Sequence, residues 1–202
     1  SLPAEDLMML GRIDVSGRRL QSMLEDISNY LDLIGSDEQK VQEDLNIILE
    51  DVIRKNEPAI LESNTKIHIN NLPALPVYPK QVNLLFQCLL DNAIKFAKPG
   101  VPPEINVYCE RISGEKLRKL VHTPIHSDFW IIYFRDNGIG FDNAYRDKIF
   151  QLFRRLHTSD EFSGKGIGLA ICQRILSNHQ GFIDGMGLVG EGASFMLYFP
   201  VE

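Results

Sequence analysis

The sequence predicts an α+β fold, a two-layer α/β sandwich with helices on one face of a single sheet and a long helix ahead of it. Three observations lead there. A heptad stripe opens the chain, helical periodicity then recurs in three later segments, and the strand-like segments are joined by turns that bring them together as antiparallel neighbours. The hydrophobic fraction of 44%, with eleven Phe and six Tyr among 202 residues, is enough for one sizeable core.

Taken in order, residues 5–34 read as one helix. Leu10, Ile13, Leu20, Leu24, Ile27, Leu31 and Ile34 occupy a and d positions, Gly17 is the gap, and Met23 and Tyr30 widen the stripe. A lone helix cannot bury such a seam, so the pattern calls for a partner. Residues 35–39, GSDEQ, read as a stop and linker. A second helix is expected over about 45–63, kinked or split at Pro58. TKIHIN alternates like a strand, whereas LPALPVYP is too rich in proline for either element. Pro79 suits the first turn of a helix over about 80–97. EINVYCERI and FWIIYFRD read as strands joined by a long polar hairpin connection. A glycine-rich turn, a short helix NAYRDKIFQLF, a polar segment and a second glycine-rich turn follow. IGLAICQRILSNH is a helix ending near Gly181, and GFIDGMGL with ASFMLYFP forms a closing hairpin.

Composition excludes several classes. A net charge of −6 argues against a general nucleic-acid surface. No apolar run reaches the roughly 18 residues that a membrane span needs. The three cysteines are odd in number and lack metal-site spacing, so reduced thiols and a cytoplasmic setting are expected. SLPAEDLMML has acidic residues where a signal peptide would be basic.

Polar residues in three segments carry the chemistry. Asp136 ends an apolar strand in RDNGIGFD, where a carboxylate needs hydrogen-bond donors, and an adenine amine is one. Gly138 and Gly140 let the backbone approach a flat ring. Gly164, Gly166 and Gly168, immediately before a helix, offer amides to an anion. Their G-x-G-x-G spacing is neither a Rossmann fingerprint nor a Walker A loop. In LLDNAIKFAKPG, Asn92 and Lys95 share one helix face, which explains two polar residues in an apolar stretch. The amide oxygen of Asn92 suits Mg²⁺, and Lys95 offers a cation to a phosphate.

These segments, in this order, resemble the histidine kinases of two-component signalling, within the GHKL superfamily of ATPases with the Bergerat fold. LLDNAIKF is similar to the N-box, DNGIG and GKGIGLA to the two glycine boxes, KIFQLFRRLH to the F-box, and GEGASF (190–195) to the closing glycine turn. RLHTSDEF is similar to the wording of phytochrome-type soluble sensor kinases. The resemblance implies binding of ATP and Mg²⁺, and transfer of the γ-phosphate to a histidine. It implies that residues 1–35 are the second helix of the dimerisation and phosphoacceptor hairpin, and 36–202 the catalytic domain. Asp136 would bind the adenine amine, Asn92 the metal and Lys95 phosphate, with Arg155 also reaching phosphate. Gly138, Gly140, Gly164, Gly166, Gly168 and Leu169 would line the nucleotide, and Phe150 and Phe153 would anchor the lid. The implied partners are a second copy, through the first helix, and the receiver domain of a response regulator, docking around residues 20–31. An anchor upstream in the full-length protein is compatible with this.

The sequence departs from the family twice. The family's second asparagine, one turn before the metal-binding one, is Cys88, a poor ligand for a hard cation. None of the five histidines sits where the acceptor would be: it belongs on a helix preceding Ser1, so the acceptor is expected outside this chain. A nucleotide-binding pseudokinase scaffold is the alternative that Cys88 favours. A serine kinase of the anti-sigma type lacks the heptad helix. A hydrolytic GHKL ATPase would need a carboxylate at position 88.

Overall fold

The computed structural model describes residues 6, 9, 11, 13, 14, 16, 17, 21, 38–121, 127–154, 156 and 166–201, with the side chains of 119–121 left aside. It divides into two units, Ser1–Asp37 and Glu38–Glu202. In the first, the described residues are helical and Ile13 is exposed. The other heptad positions lie outside the described residues.

The second unit opens with β1 (Val41–Asp44), α1 (Leu45–Lys55) and α2 (Glu57–Glu62). Asp44 caps α1, its carboxylate accepting the Asn46 N–H at 2.9 Å. The expected long helix is two, broken at Asn56, because Pro58 has no N–H to continue the ladder and sits instead in the first turn of α2. β2 (Lys66–Ile69), β3 (Ala74–Val77), α3 (Pro79–Lys95), β4 (Glu104–Ile112), α4 (Gly114–Val121) and β5 (Phe129–Asp136) follow. A 3-10 turn (Asn143–Tyr145), α5 (Gly168–Asn178), β6 (Phe182–Leu188) and β7 (Gly192–Pro200) complete the unit.

Five strands form a sheet in the order β2-β4-β5-β7-β6, and β1 pairs with β3 in a separate ribbon. One face of the sheet carries Ile132, Phe134, Leu197 and Phe199, all buried, and α3 contributes Leu85, Phe86, Leu89 and Leu90 to the core. Because strand side chains alternate, Phe129 and Ile131 point the other way, where they cluster with Ile112, Leu117, Met196 and Tyr198. The α+β sandwich expected from the sequence is the observed architecture. Among the described residues, no helix is long and apolar enough to cross a membrane.

Four expectations need correction. LPALPVYP does contain a strand, β3, in register with β1. Each strand of a two-stranded ribbon keeps an open edge, the setting in which proline is tolerated. β2 runs parallel to β4, not antiparallel, and the long crossover through α3 makes that pairing possible. The connection between β4 and β5 holds α4, whose Leu117 is fully buried beneath the sheet's second face. The segment NAYRDKIFQLF is not an α-helix but a 3-10 turn and further turns. Asp142 caps the turn by accepting the Ala144 N–H, and two polar groups of the segment bond outward: Asn143 accepts the Gly187 N–H at 3.0 Å, and Arg146 pairs with Asp184. Phe153, at φ +62°, turns the chain out of any helical path.

His179, at the C-cap of α5, ties α5 to α3. Its Nε2 accepts the backbone N–H of Tyr78, the N-cap residue of α3, at 2.9 Å, and Nδ1 donates to the Ile175 carbonyl at 2.7 Å. The bond from Tyr78 requires the neutral ring, since a protonated Nε2 cannot accept. Burial holds its pKa below the ordinary histidine value. With the folded value depressed, the contribution of His179 to stability is present above about pH 6.5 and is lost as pH falls towards the folded pKa. Denaturant unfolding at pH 7.5 and 5.5 should therefore show a drop at the lower pH that His179→Gln reduces. The same substitution should cost about 1–3 kcal/mol at pH 7.5, through an orphaned Tyr78 N–H. An unchanged pH dependence in the variant would refute this role.

Candidate nucleotide site

Three groups of residues meet around α3 and its surroundings. The first is centred on Asp136, where β5 ends. Its Oδ1 accepts the N–H of Gly138 at 2.8 Å and of Ala193 at 3.2 Å, leaving Oδ2 without a partner among the described residues. Burial raises the Asp136 pKa, opposed by those two N–H groups and by the charge of Lys98. A carboxylate held from behind, with one oxygen forward, is built to accept a hydrogen bond from a ligand.

The backbone around it is tied in a circuit. The Ile139 N–H donates to the Phe96 carbonyl at 2.9 Å, Gly190 N–H to Ile139 at 2.7 Å, and Lys98 Nζ to Gly190 at 3.1 Å. Gly138 has no room for a side chain, since a Cβ would stand 2.5 Å from the Phe96 carbonyl oxygen. Gly140 is required twice over. Its φ is +64°, and a Cβ would lie 2.1 Å from the Leu188 oxygen. Asn137 is structural: its Oδ1 accepts the Glu104 N–H and its Nδ2 donates to the Pro102 carbonyl.

The second group lies one helical turn back on α3, about 6 Å along its axis. Gly168, the first residue of α5, faces it: a Cβ there would be 3.9 Å from Asn92 Nδ2 and 3.9 Å from the Cβ of Cys88. Asn92 therefore stands beside the N-terminus of α5, partly exposed. Lys95 lies over the Phe96 ring, its Nζ 4.4 Å from the centroid. Leu169 is partly buried on the first turn of α5. Acidic or thiolate ligand clusters are absent among the described residues. The amide oxygen of Asn92 is a donor of the hard type that Mg²⁺ takes beside substrate phosphates.

The third group is the stem of the segment that precedes α5. Phe150 is buried, and a Cβ at Gly185 would come within 3.4 Å of its ring and 3.0 Å of Ile149 Cδ1. Phe153 is exposed, so only Phe150 is enclosed as a lid anchor would be. Gly166, at φ +73°, passes so close to the stem that a Cβ would meet the Arg154 carbonyl oxygen at 2.6 Å. Arg155 and Gly164 lie outside the described residues, as do His122, His126 and His157. Lys98 and Ala193 were not singled out from the sequence. Nothing in the position of Lys98, three past Lys95 beside a Pro-Gly pair, marks it. Ala193, in contrast, falls inside the closing glycine turn GEGASF.

Comparison with known proteins places these groups in context. Residues 78–202 match the family of histidine kinase-, DNA gyrase B- and HSP90-like ATPases. The chain is similar to phytochrome-like protein Cph1 of Synechocystis sp., 32% identical over 182 residues, covering 90% of this chain and 22% of that protein. It is similar to the circadian input-output histidine kinase CikA of Synechococcus elongatus, 28% identical over 135 residues, covering 66% of this chain and 16% of CikA. The chain thus spans about a fifth of the length of these relatives. Its fold is similar to that of full-length ShkA in complex with AMPPNP, with a TM-score of 0.69 at 22% identity, over 99% of this chain and 40% of ShkA.

The geometry gives a pH test. Adenine-nucleotide affinity should fall on acidification with a midpoint above the ordinary aspartate value of about 3.9, because the ionised Asp136 is a much stronger acceptor than the protonated acid. Stability should move the other way: a raised folded pKa means that the folded state holds the extra proton, so protonating Asp136 stabilises. Asp136→Asn should weaken binding by roughly 10- to 100-fold at pH 7.5, the scale of a hydrogen bond to a charged group, and lose the acid limb. Calorimetric titration from pH 8 down to the acid edge of the folded range measures both; an equal acid limb in the variant would contradict the assignment.

Proposed function

Because the chain belongs to the family of histidine kinase-, DNA gyrase B- and HSP90-like ATPases and is homologous to sensor histidine kinases, we propose that it is the ATP-binding kinase module of a two-component sensor kinase, passing the γ-phosphate of ATP to a histidine on another segment or chain. The observation that carries this reading is that the turn after Asp136 is bonded to α3 at its C-cap, the Ile139 N–H donating to the Phe96 carbonyl, while Asn92, one turn earlier on α3, stands against the N-terminus of α5.

The residues divide the work. Asp136 accepts from the adenine amine through Oδ2, while Gly138 and Gly140 let the ring lie on the backbone. Asn92 offers its amide oxygen to Mg²⁺, which, when bound, neutralises phosphate charge. The Gly166–Gly168 stretch and the first amides of α5 face the phosphates, with Leu169 beside them. Lys95 and Arg155 supply cations, and Phe150 fixes the lid stem on β6. In phosphoryl transfer, positioning and charge neutralisation provide most of the acceleration, so no side chain here has to act as a nucleophile.

Transfer is favoured over hydrolysis. Position 88 carries a thiol, not a carboxylate that could activate water. The nearest carboxylate in sequence, Asp91, is exposed and bonded to Gln87, which pairs with Asn56 at the end of α1. That network belongs to the contact between α1 and α3, whereas Asn92 and Cys88 face α5. The pseudokinase alternative rests on Cys88 alone, and Asn92 keeps a hard oxygen in place. A second copy pairing through the first helix, a response-regulator receiver domain as phosphate recipient, and a cytoplasmic setting complete the proposal.

The test supplies the missing acceptor. Incubated with γ-labelled ATP, Mg²⁺ and a histidine-bearing dimerisation hairpin, the chain should label the hairpin. Asn92→Ala should slow labelling by about 100-fold, the effect of removing one preorganised electrostatic contact. Steady release of free phosphate without labelling would overturn the reading.

A further inference from the structure

The three cysteines share no spacing in the sequence, yet folding brings two of them together. Cys88 lies on α3 one turn before Asn92, and Cys172 on α5 one turn after Gly168. On helices these spacings put Leu85, Cys88 and Asn92 in one ridge and Gly168 and Cys172 in another. The contacts join the ridges. Cys172 Sγ lies 3.9 Å from the carbonyl oxygen of Leu85, three residues before Cys88 on α3, and a Cβ at Gly168, four residues before Cys172, would be 3.9 Å from that of Cys88; burial, and then the neighbouring Cys88 thiol, push the Cys172 thiol pKa up. Both thiols are free; Cys88 is partly exposed and Cys172 is buried. Cys109, on β4, bonds instead to the Asn71 carbonyl. A packed thiol pair can be inert filling. This pair combines a partly exposed cysteine with a buried neighbour, and it spans the two helices that bound the phosphate end of the site.

We propose that Cys88 and Cys172 form a redox-sensitive pair that closes to a disulfide under hydroperoxide and thereby weakens nucleotide binding. The Cys88 sulfur attacks the peroxide O–O bond, becomes a sulfenic acid and releases water. The Cys172 sulfur then displaces the hydroxyl, which leaves as a second water with the thiol proton. In sum, two thiols lose two electrons and two protons, and one peroxide is reduced to two waters. The new bond draws α3 and α5 together where Asn92 and Gly168 face each other, narrowing the space left for phosphate and metal. The effect on nucleotide rests on the function proposed above; formation of the bond does not.

The full chain, treated with hydrogen peroxide and digested under non-reducing conditions, should yield a peptide linking Cys88 to Cys172, lighter by two hydrogen atoms than its reduced parts. Cys88→Ser and Cys172→Ser should each abolish it, and Cys109→Ser should not. Affinity for a non-hydrolysable ATP analogue with Mg²⁺ should fall at least about fivefold on oxidation, the lower end of coupling between sites, and return with dithiothreitol. Cys172→Ser should keep its affinity after the same treatment. Absence of the linked peptide, or a linked protein with unchanged affinity, overturns the proposal. A reduced chain that binds no nucleotide while still forming the link would instead count against the kinase reading.

Discussion

A carboxylate that is partly removed from water at the end of a strand is the constraint on which the rest of the site depends. Asp136 is held there by two backbone N–H groups, one from the turn after β5 and one from the start of β7, and each segment is shaped to deliver one. Gly138 must lack a Cβ because the Phe96 carbonyl fills that space, and Gly192 must lack one because the Asp136 carbonyl lies 2.0 Å from where it would be. The closing turn between β6 and β7 is in turn tied to the end of α3 through Lys98 and Gly190. Glycines far apart in the chain thus serve one purpose, which is to let backbone donors reach an acid that burial would otherwise neutralise.

From that point the helix α3 sets the distances. Its apolar face is buried in the core, which fixes its rotation, and Asn92 and Phe96 then present themselves at fixed heights along one axis. At its other end, His179 secures the first turn by accepting the Tyr78 N–H. The β6 strand does the corresponding work for the lid stem, with Gly185 leaving room for Ile149 and Phe150, and Asp184 pairing with Arg146. The site is therefore a product of ordinary packing on both sides of a short gap between α3 and α5.

Much of this was legible in the residues. Pro79, the apolar spacing of 82–93 and the strand-end Asp-Asn-Gly place α3 and Asp136 without coordinates, and the break at Pro58 follows from a missing N–H. What stayed hidden depended on partners distant in sequence. The 143–153 segment has helical composition, but its polar groups are claimed by Asp184 and Gly187, so it becomes a string of turns. The strand in ALPV exists only because Val41–Asp44 pairs with it. The parallel pairing of β2 with β4 has no local signature at all. Cys88 reads as a defect in a metal motif until Cys172, 84 positions away, is seen on the facing stretch of α5.

The claim beneath all of this is that Asp136 reads the exocyclic amine of adenine, and one comparison tests it directly: affinities of the reduced chain for ATP and for inosine triphosphate, in which a carbonyl replaces that amine. The account predicts that ATP binds at least about tenfold more tightly, since two acceptors would otherwise face each other, and that Asp136→Asn closes the gap. Equal affinities for the two nucleotides would contradict it and remove the Asp136 carboxylate from the site.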